Sequence, residues 1–135
     1  QPLHLLHLLL ASLKPEGVLL LSAPNAASAL RRKYGESWRG LEAPRHLAIP
    51  DALWLTQWLC ARGFECTQVP SHPLESAMES ERIRRRVMGA AAADLHAAKV
   101  MVRGMEPLTM AQQDVVQLVC KRAASTHHVQ SGFHA

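Results

Sequence analysis

The spacing of apolar residues divides the first part of the chain into a helix followed by a strand. Leucines at positions 3, 6, 9, 10 and 13 share one stripe at helical spacing, which predicts a helix over Pro2 to Leu13. Pro15 and Gly17 end this helix, and the unbroken apolar run after them predicts a strand over residues 18–23. Because such a run is typical of strands buried on both faces, we expect a sheet of the parallel type.

The order of helix, glycine and strand occurs a second time. Residues 26–34 predict a short helix that Gly35 closes, and residues 36–50 have no periodicity and predict a loop. Asp51 is the predicted N-cap of the next helix, and residues 64–69 predict the next strand. That helix is predicted to turn these apolar side chains toward a core: Leu53, Leu55, Trp58 and Leu59.

The rest of the chain predicts further helices and a third strand. Residues 75–103 are rich in alanine and arginine, which favour helix, and Gly89 is a predicted kink or break, so that we expect one or two helices there. Valine and leucine in residues 114–121 predict the third strand, and residues 123–135 are predicted to be a flexible tail. The order of elements is that of an α/β protein.

Composition and charge indicate one globular domain. The chain has 135 residues, of which 48% are hydrophobic, so it is long enough to bury a core. Its longest apolar stretches, Leu8 to Leu13 and Gly17 to Leu21, fall short of the roughly 20 residues that a membrane span requires. The net charge of +4 is concentrated at Arg31 to Lys33 and at Arg82 to Arg86. Because only 4% of residues are aromatic, we expect these clusters to be solvated helix faces and not a nucleic-acid site.

The cysteines predict neither a disulfide framework nor a metal site. Cys60, Cys66 and Cys120 are odd in number and have no CxxC spacing. We expect Cys60 and Cys66 to be small buried hydrophobic residues and the chain to work in a reducing cytoplasm, without a metal.

Short motifs follow one another in order from the first helix to the second strand. They are "LKPEGVLLLSAPN", "RRKYG", a lone tryptophan, "GLEAPRHL" and "ARGF". In this order and at these spacings they resemble the carboxyl-terminal half of a class I S-adenosylmethionine-dependent methyltransferase. The resemblance covers residues 1 to about 69, with Glu16 where glycine is common in the family. Since the chain begins at Gln1, we expect it to be part of a longer protein.

The resemblance implies a fold, a reaction and a cofactor. The fold is a partial Rossmann-like methyltransferase sheet with strands near residues 18–23, 64–69 and 114–121 and flanking helices, in which the last strand lies antiparallel between the other two. Residues 1–122 would form the carboxyl-terminal half of the domain, with a helical insertion at residues 75–105. The reaction would be methyl transfer from S-adenosylmethionine to an acceptor.

Candidate substrate-binding residues lie beyond the first strand and in the loop after it. Ligands of open α/β sheets bind beyond the carboxyl ends of strands, where Pro24 and Asn25 follow the first strand here. The same pair is also an ordinary turn former. Trp38 is either a lid anchor packed on the core or a group that stacks on the substrate.

His46 and Arg45 are the candidates for acceptor chemistry. An imidazole titrates near physiological pH, so His46 is a candidate general base toward a substrate hydroxyl or amine. The alternative is a loop histidine whose ring nitrogens bond the backbone. Arg45 either binds an acidic group of the substrate or pairs with Glu42 or Asp51.

The part of the family's site that binds most of the cofactor has no counterpart in this sequence. The family uses a Gly-x-Gly loop after its first strand, and the glycines here stand at positions 17, 35, 40, 63, 89, 104 and 132. Cofactor-binding residues therefore stay unassigned, and we expect this chain alone to be inactive. Two functions remain open, namely the acceptor-side half of a methyltransferase and a noncatalytic or degenerate module that serves association.

The sequence also predicts the class of acceptor and the assembly of the protein. Arg45 and His46 beside apolar loop residues suit a small or amphipathic molecule with an acidic group. A chain with half of the sheet leaves an edge of the strand at residues 18–23 unpaired, which predicts a homo-oligomer joined through that edge.

Overall fold

The computed structural model describes residues 1–42, 45–46, 48–89, 95–104 and 109–124. The helices are α1 (Pro2–Ser12), α2 (Ala29–Tyr34), α3 (Ala52–Cys60), α4 (Leu74–Met88) and α5 (Leu95–Arg103). The strands are β1 (Val18–Pro24), β2 (Phe64–Gln68) and β3 (Val115–Arg122). Short 3₁₀ turns lie at Gly35–Ser37, Arg39–Leu41 and Met110–Gln112. The predicted α/β class and the three strands are confirmed, and of the one or two helices expected in residues 75–103 the structure has two, α4 before Gly89 and α5 after it.

Local signals fix the ends of these elements. Ser28 and Asp51 cap α2 and α3, because their side chains accept hydrogen bonds from the backbone N–H groups of Arg31 and Trp54. Gly35 and Gly89 follow α2 and α4 with φ of 53° and 68°, a backbone conformation that side chains with a Cβ disfavour.

The three strands form one sheet in the order β1, β3, β2. β3 runs antiparallel to both neighbours, and Val119 pairs with Leu20 on one side and with Thr67 on the other. The antiparallel third strand that the resemblance implied is thus present. Our expectation of parallel pairing is wrong for the described strands, because β1 and β2 point the same way but β3 separates them.

One face of the sheet packs on α1 and α3 and forms the sheet core. Its buried members are Leu10, Ala52, Leu55, Leu59, Phe64, Val116, Leu118 and Cys120. Alternate residues of β3 supply three of them, as expected for a strand with one covered face. Leu53, predicted to point inward, is exposed on α3.

β1 is buried on one face only, which corrects the prediction of two-sided burial. Leu19 and Leu21 pack against the sheet core, whereas Leu20 between them is 72% exposed. A continuous apolar run does not show which of its faces is covered, because that depends on helices that pack from elsewhere in the chain. Within the described residues, β1 pairs with β3 alone and is an edge strand.

A second cluster, the cap core, joins α2, α4 and α5 to the segment that follows α2. Its buried members are Leu30, Tyr34, Trp38, Ala77 and Val102. The cap core fixes the segment 35–42 over one end of the sheet, where β1 ends and β3 begins. It contains Trp38, the residue that the sequence suggested as a lid anchor.

Two of the three cysteines form a disulfide, contrary to the prediction. Cys66 on β2 lies opposite Cys120 on β3, and the two are bonded. Cys60, predicted to be buried, is exposed and free. Strand register brings Cys66 and Cys120 together over a separation of 54 residues, and spacing along the sequence does not reveal such a pair. The inference of a reducing cytoplasm loses the support that it drew from unpaired cysteines.

Two expectations concern membranes and the end of the chain. None of the helices in the described ranges has the length and apolar character needed to cross a bilayer. The predicted tail at residues 123–135 lies outside the described residues from position 125 onward.

Candidate functional site

A small polar cleft lies where β1 ends and β3 begins. Its volume is about 130 Å³, roughly the space of four water molecules. Pro24 faces Val115 across the β1–β3 pair at its floor, and the 3₁₀ turn after Trp38 and the start of α4 form its walls. The lining residues are Pro24, Arg39, Gly40, Glu42, His46, Ser76, Asp114 and Val115.

Asp114 places a carboxylate at the bottom of this cleft. It immediately precedes β3 and is 3% exposed. Its Oδ1 accepts a hydrogen bond of 2.7 Å from the indole Nε1 of Trp38. Its carbonyl oxygen accepts a second one, of 2.9 Å, from the backbone N–H of Asn25. These bonds connect Asp114 to the end of β1 and to the segment 35–42, which we call the lid segment.

Trp38 anchors the lid segment in the cap core. The side chain is 1% exposed, and the ring lies so close to Gly40 that a Cβ at that position would overlap it. The backbone N–H of Arg39 donates to the hydroxyl of Ser80 on α4 at 2.9 Å, which holds the same segment from the other side. The ring is therefore packed in the cap core, and a stacking contact of Trp38 with a substrate stays a prediction.

Asn25 is fully buried and its side chain already makes four hydrogen bonds. Its amide nitrogen donates to the carbonyl oxygens of Ala111 and Gln113. Its amide oxygen accepts from the backbone N–H groups of Ala27 and Ala52. An Asn side chain in this state has its usual capacity filled. Of the predicted pair, Pro24 lines the cleft and Asn25 holds its walls together, and a ligand contact by Asn25 stays a prediction.

His46 is one of the residues that line the cleft. Its Nδ1 is buried and has no hydrogen-bond partner among the described residues. Leaving a buried polar atom unpaired is unfavourable by about 1–3 kcal/mol, so such an atom calls for an explanation. The alternative in which both ring nitrogens bond the backbone does not hold for Nδ1 within the described ranges. The role of His46 as a base stays a prediction.

Arg45 and Arg39 both pair with Glu42. A guanidinium nitrogen of Arg39 lies 3.3 Å from Oε1 of Glu42, and one of Arg45 lies 3.2 Å from Oε2. The side chain of Arg45 is 74% exposed and does not line the cleft. The pairing of Arg45 with Glu42 that the sequence left open is present, and its contact with a substrate stays a prediction.

A buried carboxylate, that of Glu81, lies on α4 within the cap. Glu81 accepts hydrogen bonds from Arg84 and Arg85, and the bond from Arg84 is the largest cause that lowers its pKa. Burial raises the pKa of the Tyr34 hydroxyl, and the negative charge of Glu81 raises it further. The cap core is therefore stabilised by ionic contacts as well as by apolar ones.

The sequence did not identify Asp114, Arg39 or Ser76 as site residues. The sequence does contain one signal for Asp114, because an aspartate directly before an apolar strand lies next to the core, where carboxylates are rare. It became meaningful only through the antiparallel pairing of β3, which places the start of β3 beside the end of β1.

A larger, apolar groove lies between α1 and α3. Its volume is about 580 Å³, and α1 lines one of its sides with four leucines and a proline. Among the described residues that line it, Asp51 is the one ionisable side chain. Within the described residues, no three His, Cys, Asp or Glu side chains come together as a metal site.

One of three comparisons with known proteins found a match. A family model described as a methyltransferase domain matches residues 1–69, the stretch from α1 through β2 that includes His46. Searches of curated proteins and of solved structures returned no match.

Proposed function

Because this chain belongs to the methyltransferase domain family, we propose that it supplies the acceptor side of the active site of a class I S-adenosylmethionine-dependent methyltransferase. Residues 1–122 would be the carboxyl-terminal half of the catalytic domain, and residues 75–105 a helical insertion in it. The observation that carries the proposal is His46, which lines a cleft at the end of β1 and whose Nδ1 has no hydrogen-bond partner among the described residues. This is the edge at which open α/β sheets bind ligands.

The proposed chemistry of this chain concerns the acceptor. S-adenosylmethionine, the methyl donor in such enzymes, supplies an electrophilic methyl group. The residues described here do not fit that cofactor, because no Gly-x-Gly spacing occurs among the glycines of the chain. What the chain offers is a cleft that orients a small acceptor and an imidazole nitrogen that takes its proton.

A small molecule suits this cleft better than a nucleic acid. The space of about 130 Å³ admits only the reacting end of an acceptor. The arginines of the two basic clusters bond to protein groups: those on α2 donate to backbone carbonyls, and three on α4 pair with glutamates. The charge that remains for phosphates is correspondingly smaller.

The test of this proposal is methyl transfer by the full-length protein. The protein is incubated with methyl-labelled S-adenosylmethionine and a small-molecule cell extract, and label in the products is counted. His46→Ala should lower transfer by about 100-fold or more, the usual contribution of a general base. His4→Ala, at an exposed histidine of α1, is the matched control and should leave transfer unchanged.

Two results would contradict the proposal in different ways. Absence of transfer by the wild-type protein would remove the enzymatic function. Transfer by His46→Ala at the wild-type rate would retain the enzyme and remove His46 as its base. Calorimetric titration of the present chain with S-adenosylmethionine should show no micromolar binding, because the glycine cradle is missing.

The second candidate function is association, and two exposed apolar surfaces favour it. β1 has an unpaired edge within the described residues, next to the exposed Leu20. α1 carries no charged residue, and four of its leucines are exposed: Leu3, Leu5, Leu8 and Leu9. A helix without a polar face is usually buried against something. In this candidate, two copies pair their β1 edges about a two-fold axis.

Light scattering during size-exclusion chromatography tests the association. The chain should elute as a homo-oligomer at low micromolar concentration, and Leu20→Lys should shift it toward monomer. Val87→Lys makes the same change at an exposed position of α4, away from the edge, and should not alter the mass. A wild-type monomer would refute association through β1.

A further inference from the structure

Resting on the proposed function, we infer that the acceptor presents an amine to the polar cleft and that Asp114 binds its nitrogen. The sequence suggested an acidic acceptor because of Arg45. Arg45 pairs with Glu42 and does not line the cleft. The class of acceptor therefore has to be decided from the groups that do line it.

The charges that line the cleft favour a cation. Two carboxylates, Glu42 and Asp114, stand against one guanidinium, that of Arg39. Arg39 is engaged with Glu42 at 3.3 Å and lies 3.9 Å from Glu75 outside the cleft. An anionic ligand would meet uncompensated negative charge there, whereas an ammonium group would be attracted.

Asp114 is the carboxylate that is available to a ligand. Glu42 already pairs with two arginines, whereas Asp114 has no ion-pair partner among the described residues. Its Oδ1 is held by the neutral indole N–H of Trp38. A carboxylate offers about four acceptor positions, so this bond leaves room for others. Burying a carboxylate without a cation is unfavourable, and a bound ammonium group offsets that penalty.

His46 completes the arrangement for an amine. His46 lines the same cleft as Asp114, and its Nδ1 has no hydrogen-bond partner among the described residues. A bound ammonium gives one proton to this nitrogen, which leaves a neutral amine with a free lone pair and a protonated imidazole. The proton and the charge balance between these two groups, and Asp114 retains the amine through its remaining N–H bonds. Asp114 thus binds, and His46 accepts the proton.

Nuclear magnetic resonance on this chain tests the inference with three small probes of similar shape. These are isobutylammonium, isobutyrate and isobutanol, which differ in charge. The reporters are the indole Nε1–H signal of Trp38, assigned with Trp38→Phe, and the ring signals of His46. Isobutylammonium should shift both with a dissociation constant of about 1–50 mM, the range for a ligand of a few atoms. The other two probes should shift neither.

A matched pair of variants sharpens the result. Asp114→Asn keeps the shape and removes the charge, and it should weaken isobutylammonium binding about tenfold or more. Glu65→Gln removes one charge at an exposed position of β2 and should leave binding unchanged. If Asp114→Asn does not fold, the comparison of the three probes on the wild-type chain still decides.

The outcomes separate this inference from the proposed function. Shifts by isobutyrate in place of isobutylammonium would overturn the amine class and keep the cleft as a ligand site. If none of the three probes shifts the Trp38 or His46 signals, both the amine class of the acceptor and the cleft as a ligand site are overturned. Binding of isobutylammonium without methyl transfer by the full-length protein would support the inference and refute the enzyme.

Discussion

The sheet layer and the cap are held together by different forces. The sheet layer, made of α1, α3 and the three strands, packs mainly through apolar side chains and one disulfide, with two hydrogen bonds from Arg122 on β3 to the carbonyl oxygens of Leu10 and Leu13. The cap, made of α2, α4, α5 and the segment 35–42, adds ionic and hydrogen-bonded contacts to a smaller apolar cluster. α1 has no charged residue, whereas seven of the 15 residues of α4 are glutamate or arginine.

The candidate site lies where these two regions meet. Asp114 belongs to the start of β3, and Trp38 to the cap, so their hydrogen bond crosses the boundary. Apolar packing is non-directional and tolerates small shifts. A bond between two buried polar atoms fixes distance and direction. The contrast explains why the polar groups are concentrated at the joint, where a ligand has to be oriented.

The largest expected effect concerns the disulfide of the sheet layer. Closing 54 residues by a covalent bond stabilises the fold by about 4 kcal/mol in the chain-entropy account. A reductant, or replacement of Cys66 and Cys120 by alanine, should lower the free energy of unfolding by that amount in urea titrations. Cys60→Ala should leave it unchanged, because that thiol is exposed and free. Stability that does not respond to reductant would contradict the bond.

The next effect concerns the hydrogen bond between Trp38 and Asp114, which joins the cap to the sheet layer. Trp38→Phe keeps an aromatic ring and removes the donor to Asp114, which should lower the free energy of unfolding by about 2 kcal/mol. Trp54→Phe makes the same change at a half-exposed position of α3 and should have an effect below about 0.5 kcal/mol. Combining Trp38→Phe with Asp114→Asn should be less than additive. Additive effects would mean that the two side chains are not coupled.

The sheet layer also shows how far the sequence can predict a fold. Helix α1, strands β1 to β3 and the stops at Gly35 and Gly89 follow from periodicity and backbone preferences, which are local properties. Burial is less local. Leu53 and Leu20 are as apolar as core residues, but their side chains are exposed because they point away from the elements that pack on their neighbours.

The site was predictable in part. Pro24 and His46 were found because they follow a strand or carry a titratable ring, and both line the cleft. Asp114 was missed because its role depends on the pairing of β3 with β1, and Cys66 with Cys120 was missed for the same reason. Contacts set by strand register between distant segments leave no pattern in the sequence near either partner.

The smallest expected effect separates buried from exposed ion pairs within the cap. Glu81→Gln should lower the free energy of unfolding by about 1–2 kcal/mol at pH 7, because the side chain is buried and bonds two arginines. The lowered pKa of Glu81 means that this stability is present above the unfolded value of about 4.3 and is lost as the pH falls through the lower folded value. Thermal unfolding from neutral to acidic pH should therefore show the wild type and Glu81→Gln converging in acid. Glu79→Gln breaks a more exposed pair with Arg82 on the same helix and should change stability by less than about 0.5 kcal/mol at every pH. A difference between wild type and Glu81→Gln that persists in acid would assign the effect to the shape of the side chain and not to its charge.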